Sequence, residues 1–159
     1  MTLAVRPAAS DDAELIAGLT RACWAGKVAA SSSGHRETAA VVAGQLREGG
    51  GFIVLLDGAA AGSVRWAPLA LDPAIWELRR MGVLPARRGA NLSQHLLEAV
   101  IHQALESGAA ELRLAVRSDQ PRLIDFYAGF GFALAAELEY GHANPAEPAP
   151  VVMRRTLRA

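Results

Sequence analysis

The stretch that most restricts the fold is Trp76 to Leu97, WELRRMGVLPARRGANLSQHLL, where a strand-like run stops at Pro85, passes two arginines and a glycine, and enters an amphipathic helix. Leu92, Leu96, Leu97, Val100, Ile101, Ala104 and Leu105 recur at helical spacing and give that helix one apolar face. Such a face must pack on a sheet. The first N–H groups of a helix have no partner within it and lie at the positive end of its dipole, so the turn carrying Arg87 and Arg88 suits an anion. Two cations beside a helix start are otherwise mildly unfavourable, which favours a bound anion over an idle pair.

The flanks extend this unit into one alternating chain. Leu3 to Arg6 predicts a strand that Pro7 ends, followed by a helix capped from Ser10, Asp11 and Glu14, with Leu15, Ile16, Leu19 and Ala22 inward. Trp24 to His35 is small and polar, a composition suited to a substrate-facing loop. A second helix is predicted over Glu37 to Glu48, stopped by Gly49, Gly50 and Gly51. Phe52 to Leu56 and Gly62 to Pro68 read as a hairpin about Asp57-Gly58, and Ile75 to Leu84 as the next strand. After the long helix, which should end near Gly108, Leu112, Leu114 and Val116 alternate as a strand. Pro121 opens a helix that Gly131 can close, and two last strands, Phe132 to Tyr140 and Val151 to Leu157, flank GHANPAEPAP. The fold class is therefore α/β: a single domain with a mixed sheet in the order β α α β β β α β α β β and helices on both faces. Its fourth and fifth strands form a parallel crossover beside the helix start, where a ligand should lie.

At 159 residues the chain suits one domain with a well-buried core. Its 16 basic and 16 acidic residues give no net pull towards nucleic acid or a membrane surface, so attraction of an anion must be local. No apolar run reaches the roughly 18 to 20 residues of a membrane span. The beginning lacks a signal-peptide core, and with Cys23 as the one cysteine a cytoplasmic, reducing compartment is the expectation. No structural zinc or other metal is expected. His95 and His102 stand two helical turns apart, roughly 10 Å, and read as surface residues.

This order, together with VLPARRGANLS and the later FYAGFGF, resembles the GNAT superfamily of N-acetyltransferases over essentially the whole chain. The resemblance implies acetyl-coenzyme A as co-substrate and a phosphate turn at Arg87, Arg88, Gly89, Ala90, Asn91, Leu92 and Ser93. In the family's pattern Arg88 is the leading arginine; Asn91 and Ser93 stand where glycine and another small residue are usual. Asn best tolerates a left-handed backbone among non-glycine residues, and Ser is small enough for a pyrophosphate to approach. ELRRMGV looks like the strand whose backbone, at Met81, Gly82 and Val83, follows the pantetheine arm. Tyr127 falls on the family's tyrosine, which protonates the departing thiolate, and Gln120 on a position often held by Asn.

Taken from the residues alone, Tyr127 between Phe126 and Phe130 could be a core aromatic. Glu77 has two readings, a general base at a strand end or an ion-pair partner of Arg79 or Arg80. Cys23 lies too early in its helix to suggest a nucleophile. Glu137, Glu139 and Glu147 could draw a cationic amine, and His35 and His142 could touch substrate, though an ordinary solvated surface residue is the more frequent case for each. The acceptor expected is a small-molecule or protein amine. The rival function is a non-catalytic domain that binds or senses acyl-coenzyme A, and the edge with Val151, Val152 and Met153 could support a homodimer.

Overall fold

The computed structural model describes residues 2–25, 33–141, 145–146 and 148–158; His142, Glu147 and most of the small polar loop after Trp24 lie outside them. Asp57 and Gly58 both take positive φ, 50° and 82°, as a tight two-residue hairpin turn requires. They join β2 (Gly50–Leu56) to β3 (Ala59–Pro68). Alternation along β2 sends Phe52, Val54 and Leu56 into the larger core and Ile53 into a second, smaller one. The strand is thus buried on both faces. β1 (Leu3–Pro7) pairs antiparallel on one side of β2, and on the other β3 pairs with β4 (Ile75–Val83). Trp66 and Trp76 stack across that ladder with ring centroids 3.7 Å apart and planes 3° from parallel.

Among the described residues the sheet has seven strands in the order β1-β2-β3-β4-β5-β7-β6, where β5 is Glu111–Val116, β6 is Ala133–Leu134 and β7 is Val151–Thr156. β5 pairs parallel with β4 and antiparallel with β7. The intervening α3 (Leu92–Glu106) places Leu92, Leu96, Leu97, Val100, Ile101 and Ala104 in the larger core. Leu105, in its last turn, is exposed instead. On the opposite face, α1 (Ala13–Trp24) and α2 (Ala39–Glu48) cover β2, β3 and β4.

Four local expectations are corrected. Asp12 is the residue at the N-cap of α1, and its side chain closes the short turn before the helix rather than bonding the helix amides, accepting from the Ala9 N–H at 2.8 Å and pairing with Arg6 through both carboxylate oxygens. The buried face of α1 is Ala13, Ile16, Ala17, Leu19, Thr20 and Cys23, leaving Leu15 and Ala22 outside, because small side chains are what α2 can pack against. α2 begins two residues late, capped by Thr38, which accepts from the Val41 N–H at 3.3 Å. β6 is only Ala133–Leu134: after the Ala135 N–H bonds to the Val152 carbonyl, a turn bond from the Leu138 N–H to the Ala135 carbonyl swings the chain off the ladder. At the edge read as a dimer surface, Val152 and Met153 are buried in this chain's own core, and Leu134 and Val151 are exposed.

Candidate functional site

The parallel pairing of β4 with β5 runs only from Ile75↔Glu111 to Glu77↔Arg113. Past Glu77 the strands part, and β5 continues beside β7 while β4 continues beside β3. A bulge sits at this divergence: β3 advances two residues, Ser63 to Arg65, while β4 spans three, Gly82 back to Arg79. Arg80, inside it, has φ +56°. The extra residue bends β4 and leaves backbone groups on its β5 side without ladder partners.

The gap opens into a cavity of about 940 Å³. One wall is the turn into α3. Gly89 has φ +94°, Asn91 has φ 59° at the helix cap, and the Asn91 side chain makes no capping bond to the first N–H groups. Met81, Gly82, Val83, Arg87, Arg88, Gly89, Asn91, Leu92, Ser93 and Gln120 all line the cavity, so nearly every residue assigned to coenzyme binding meets there. Ala90 does not; its side chain packs on the larger core. Arginines beside uncapped amides, a small Ser93 and an unpaired strand edge form a donor set that fits a pyrophosphate followed by an amide-bearing arm.

Tyr127 comes from α4 (Arg122–Ala128) and also lines the cavity. Phe126 and Phe132 hold its ring edge-on at 5.2 and 5.9 Å, and burial pushes its phenol well above the ordinary range. It therefore stays protonated at neutral pH. Glu77 is buried, but its carboxylate accepts from Arg79 Nε at 2.7 Å and faces a smaller neighbouring cavity of about 300 Å³. Of its two readings, the ion pair with Arg79 is the one formed here. Tyr140 and Leu114 line both cavities. Burial raises the Tyr140 phenol, the nearby Glu77 charge adds to the rise, and Arg79 and Arg80 oppose it.

The opposite wall comes from the regions expected to face the acceptor, the end of α1, α2 and the chain around Tyr140, but its individual residues were not singled out by sequence reasoning. Cys23 and Trp24 from the end of α1, Gln45 from α2, Arg79 and Arg80 from β4, and Tyr140 converge on it. Cys23 is in the cavity despite its helical position, and desolvation pushes its thiol up to about 11, Arg88 across the cavity pulling the other way. A thiol so held is no nucleophile. The available signal was two large aromatics, Trp24 and Tyr140, each next to a glycine-bearing loop. Among the acidic residues read as amine attractors, Glu137 pairs with Arg154 at 2.7 Å. Among the described residues no three His, Cys, Asp or Glu side chains are grouped to hold a metal ion, and no helix is long and apolar enough to cross a membrane.

Residues 18–132 match the family model described as the acetyltransferase (GNAT) family. A comparison with curated proteins returns no match. Among solved structures, the chain is similar to the PaiA N-acetyltransferase of Thermoplasma acidophilum in complex with coenzyme A, with a TM-score of 0.78 at 16% identity over 98% of this chain and 99% of that one. It is similar to the ribosomal-protein-S18-alanine N-acetyltransferase of Escherichia coli, with a TM-score of 0.78 at 16% identity over 99% and 96%. A third is YncA of Salmonella typhimurium, a putative acetyltransferase with its cofactor acetyl-CoA, with a TM-score of 0.77 at 17% identity over 100% and 96%.

Proposed function

Since the chain belongs to the acetyltransferase (GNAT) family, we propose that it moves an acetyl group from acetyl-coenzyme A to a primary amine, both substrates being bound together. The observation that carries this reading is the convergence on one cavity of the arginine turn with its uncapped helix start, the unpaired β4 edge and Tyr127. Arg87, Arg88 and the amides at the start of α3 hold the pyrophosphate. The backbone of Met81, Gly82 and Val83 holds the pantetheine arm, and Gln120 and Ser93 complete the polar lining. When bound, the coenzyme supplies an activated thioester.

Within this site the residues divide the work of a direct transfer. The wall of Trp24, Gln45 and Tyr140 brings the amine to the thioester carbonyl, and proximity replaces a covalent enzyme intermediate. β4 backbone N–H groups stabilise the oxyanion that forms as nitrogen attacks carbon. Tyr127, kept protonated by burial, gives a proton to the leaving sulfur and regains one from the attacking nitrogen as the amide forms. The amine's other proton leaves to water, since Glu77 is paired with Arg79 and faces the adjoining cavity rather than this one.

The test is thermal unfolding with acetyl-coenzyme A, followed by thiol release on a panel of primary amines. Ligand at about 100 times its dissociation constant stabilises by roughly 2.7 kcal/mol. A shift abolished by Arg88→Ala, with amine-dependent thiol release, is expected. A shift without thiol release from any amine would favour a binding domain, and absence of the shift would overturn the coenzyme site.

A further inference from the structure

We propose that Glu37 is a positioning residue, whose buried carboxylate holds the β4 bulge at Arg80 in the shape that the pantetheine arm of the coenzyme requires. This rests on the coenzyme reading above. Glu37 lies just before α2, is 4% exposed and does not line the cavity. Its Oε1 accepts a charge-assisted bond from Arg65, and the same oxygen lies 3.4 Å from Arg80 Nε. Arg65 is the β3 residue at which the ladder resumes below the bulge, and Arg80 is the left-handed residue inside it. One carboxylate oxygen thus ties the two strands together where their register changes.

The surroundings keep that oxygen in place. Arg65 is 1% exposed and also donates to Gln45 Oε1 at 2.8 Å and Thr20 Oγ1 at 3.3 Å, while the Arg21 guanidinium donates to the Glu37 main-chain carbonyl. Arg80 Cζ lies 5.9 Å from the centre of the Trp24 ring. Residues from α1, α2 and β3 therefore fix Arg80 from the side away from α3. A left-handed backbone is unfavourable for a residue with a Cβ and persists only where its neighbours over-determine it. A buried ion pair contributes little net stability compared with an apolar replacement, so its clearer use is to specify shape. The shape specified is that of Arg80, Met81 and Gly82, all of which line the cavity.

The full chain is titrated calorimetrically with acetyl-coenzyme A and with adenosine 3′,5′-bisphosphate, which carries the nucleotide end without the arm. Glu37→Gln should weaken acetyl-coenzyme A about tenfold and leave the bisphosphate within about twofold. Arg80→Gln, which leaves the Glu37–Arg65 pair whole and serves if Glu37→Gln fails to fold, should show the same selective loss. Arg80→Gly should restore binding, because glycine takes the left-handed conformation unaided, and Glu37→Gln in that background should cost less than about twofold. Equal loss for both ligands, or equal loss with glycine at position 80, would overturn the inference alone. Failure of the unaltered protein to bind acetyl-coenzyme A would overturn the coenzyme reading and the inference together.

Discussion

The two walls of the large cavity are built by different means. The turn from Leu84 into α3 is local: within ten residues it uses a proline, two arginines and two left-handed positions, Gly89 and Asn91. The facing wall draws on α1, α2, β4 and the chain around Tyr140, brought together only by the sheet order. On the proposed reading the first wall, with the β4 backbone beside it, recognises through main-chain groups, which the sequence must pre-shape. The rest of the second recognises through side chains, whose meeting is a property of the fold. This predicts that a ligand's invariant part belongs to the turn and the β4 backbone and its variable part to the side chains of the facing wall.

The strongest test of that division is Tyr127→Phe, which should lower turnover roughly 10²- to 10⁴-fold in a thiol-release assay while leaving the acetyl-coenzyme A dissociation constant unchanged. Unchanged turnover would return Tyr127 to the role of a core aromatic. Next in size is Gly82→Ala on the side-chain wall. A Cβ there would lie 2.8 Å from Trp24 Cζ3 and 3.0 Å from Cys23 Cβ, so Trp24 must shift, and overpacking of about 1–3 kcal/mol should appear as a lower melting temperature.

On the backbone wall, Asn91→Val should cost about 1–2 kcal/mol in thermal unfolding, because a branched side chain resists φ 59°, whereas Asn91→Gly should be nearly neutral. Equal effects of Val and Gly would mean that the Asn side chain, not its backbone, matters. The smallest effect concerns Cys23. Its thiol is raised to about 11, so the contribution of keeping it neutral is present below its ordinary value of 9.0 and lost as pH rises through about 11. Iodoacetamide should therefore leave the folded protein unmodified from about pH 7 to 9. Rapid labelling at neutral pH would place a thiolate in the wall.

The same contrast explains what could be read in advance. The buried face of α3, the Asp57–Gly58 hairpin and the left-handed tolerance of Asn91 follow from spacing and local chemistry, and all were legible. The inward face of α1 was legible only at Ile16 and Leu19, since Ala13, Ala17, Thr20 and Cys23 pack there only because α2 lies close. β6 failed for a related reason: ALAAELEY alternates weakly, and the turn at Ala135 outcompetes the ladder. Glu37 and Arg65 stand 28 residues apart on different elements, and no local pattern announces that they share a proton-donor bond in the interior.

The stacked Trp66–Trp76 pair has an optical consequence. Two indoles face to face at 3.7 Å couple electronically and quench one another, giving a strong signature in near-ultraviolet circular dichroism and little emission. The chain has three tryptophans, so most of its fluorescence should come from Trp24, which stands in the cavity wall. The molecule thereby carries its own lamp at the place where an acceptor would arrive, with a dark internal reference in the sheet that reports whether the fold is intact.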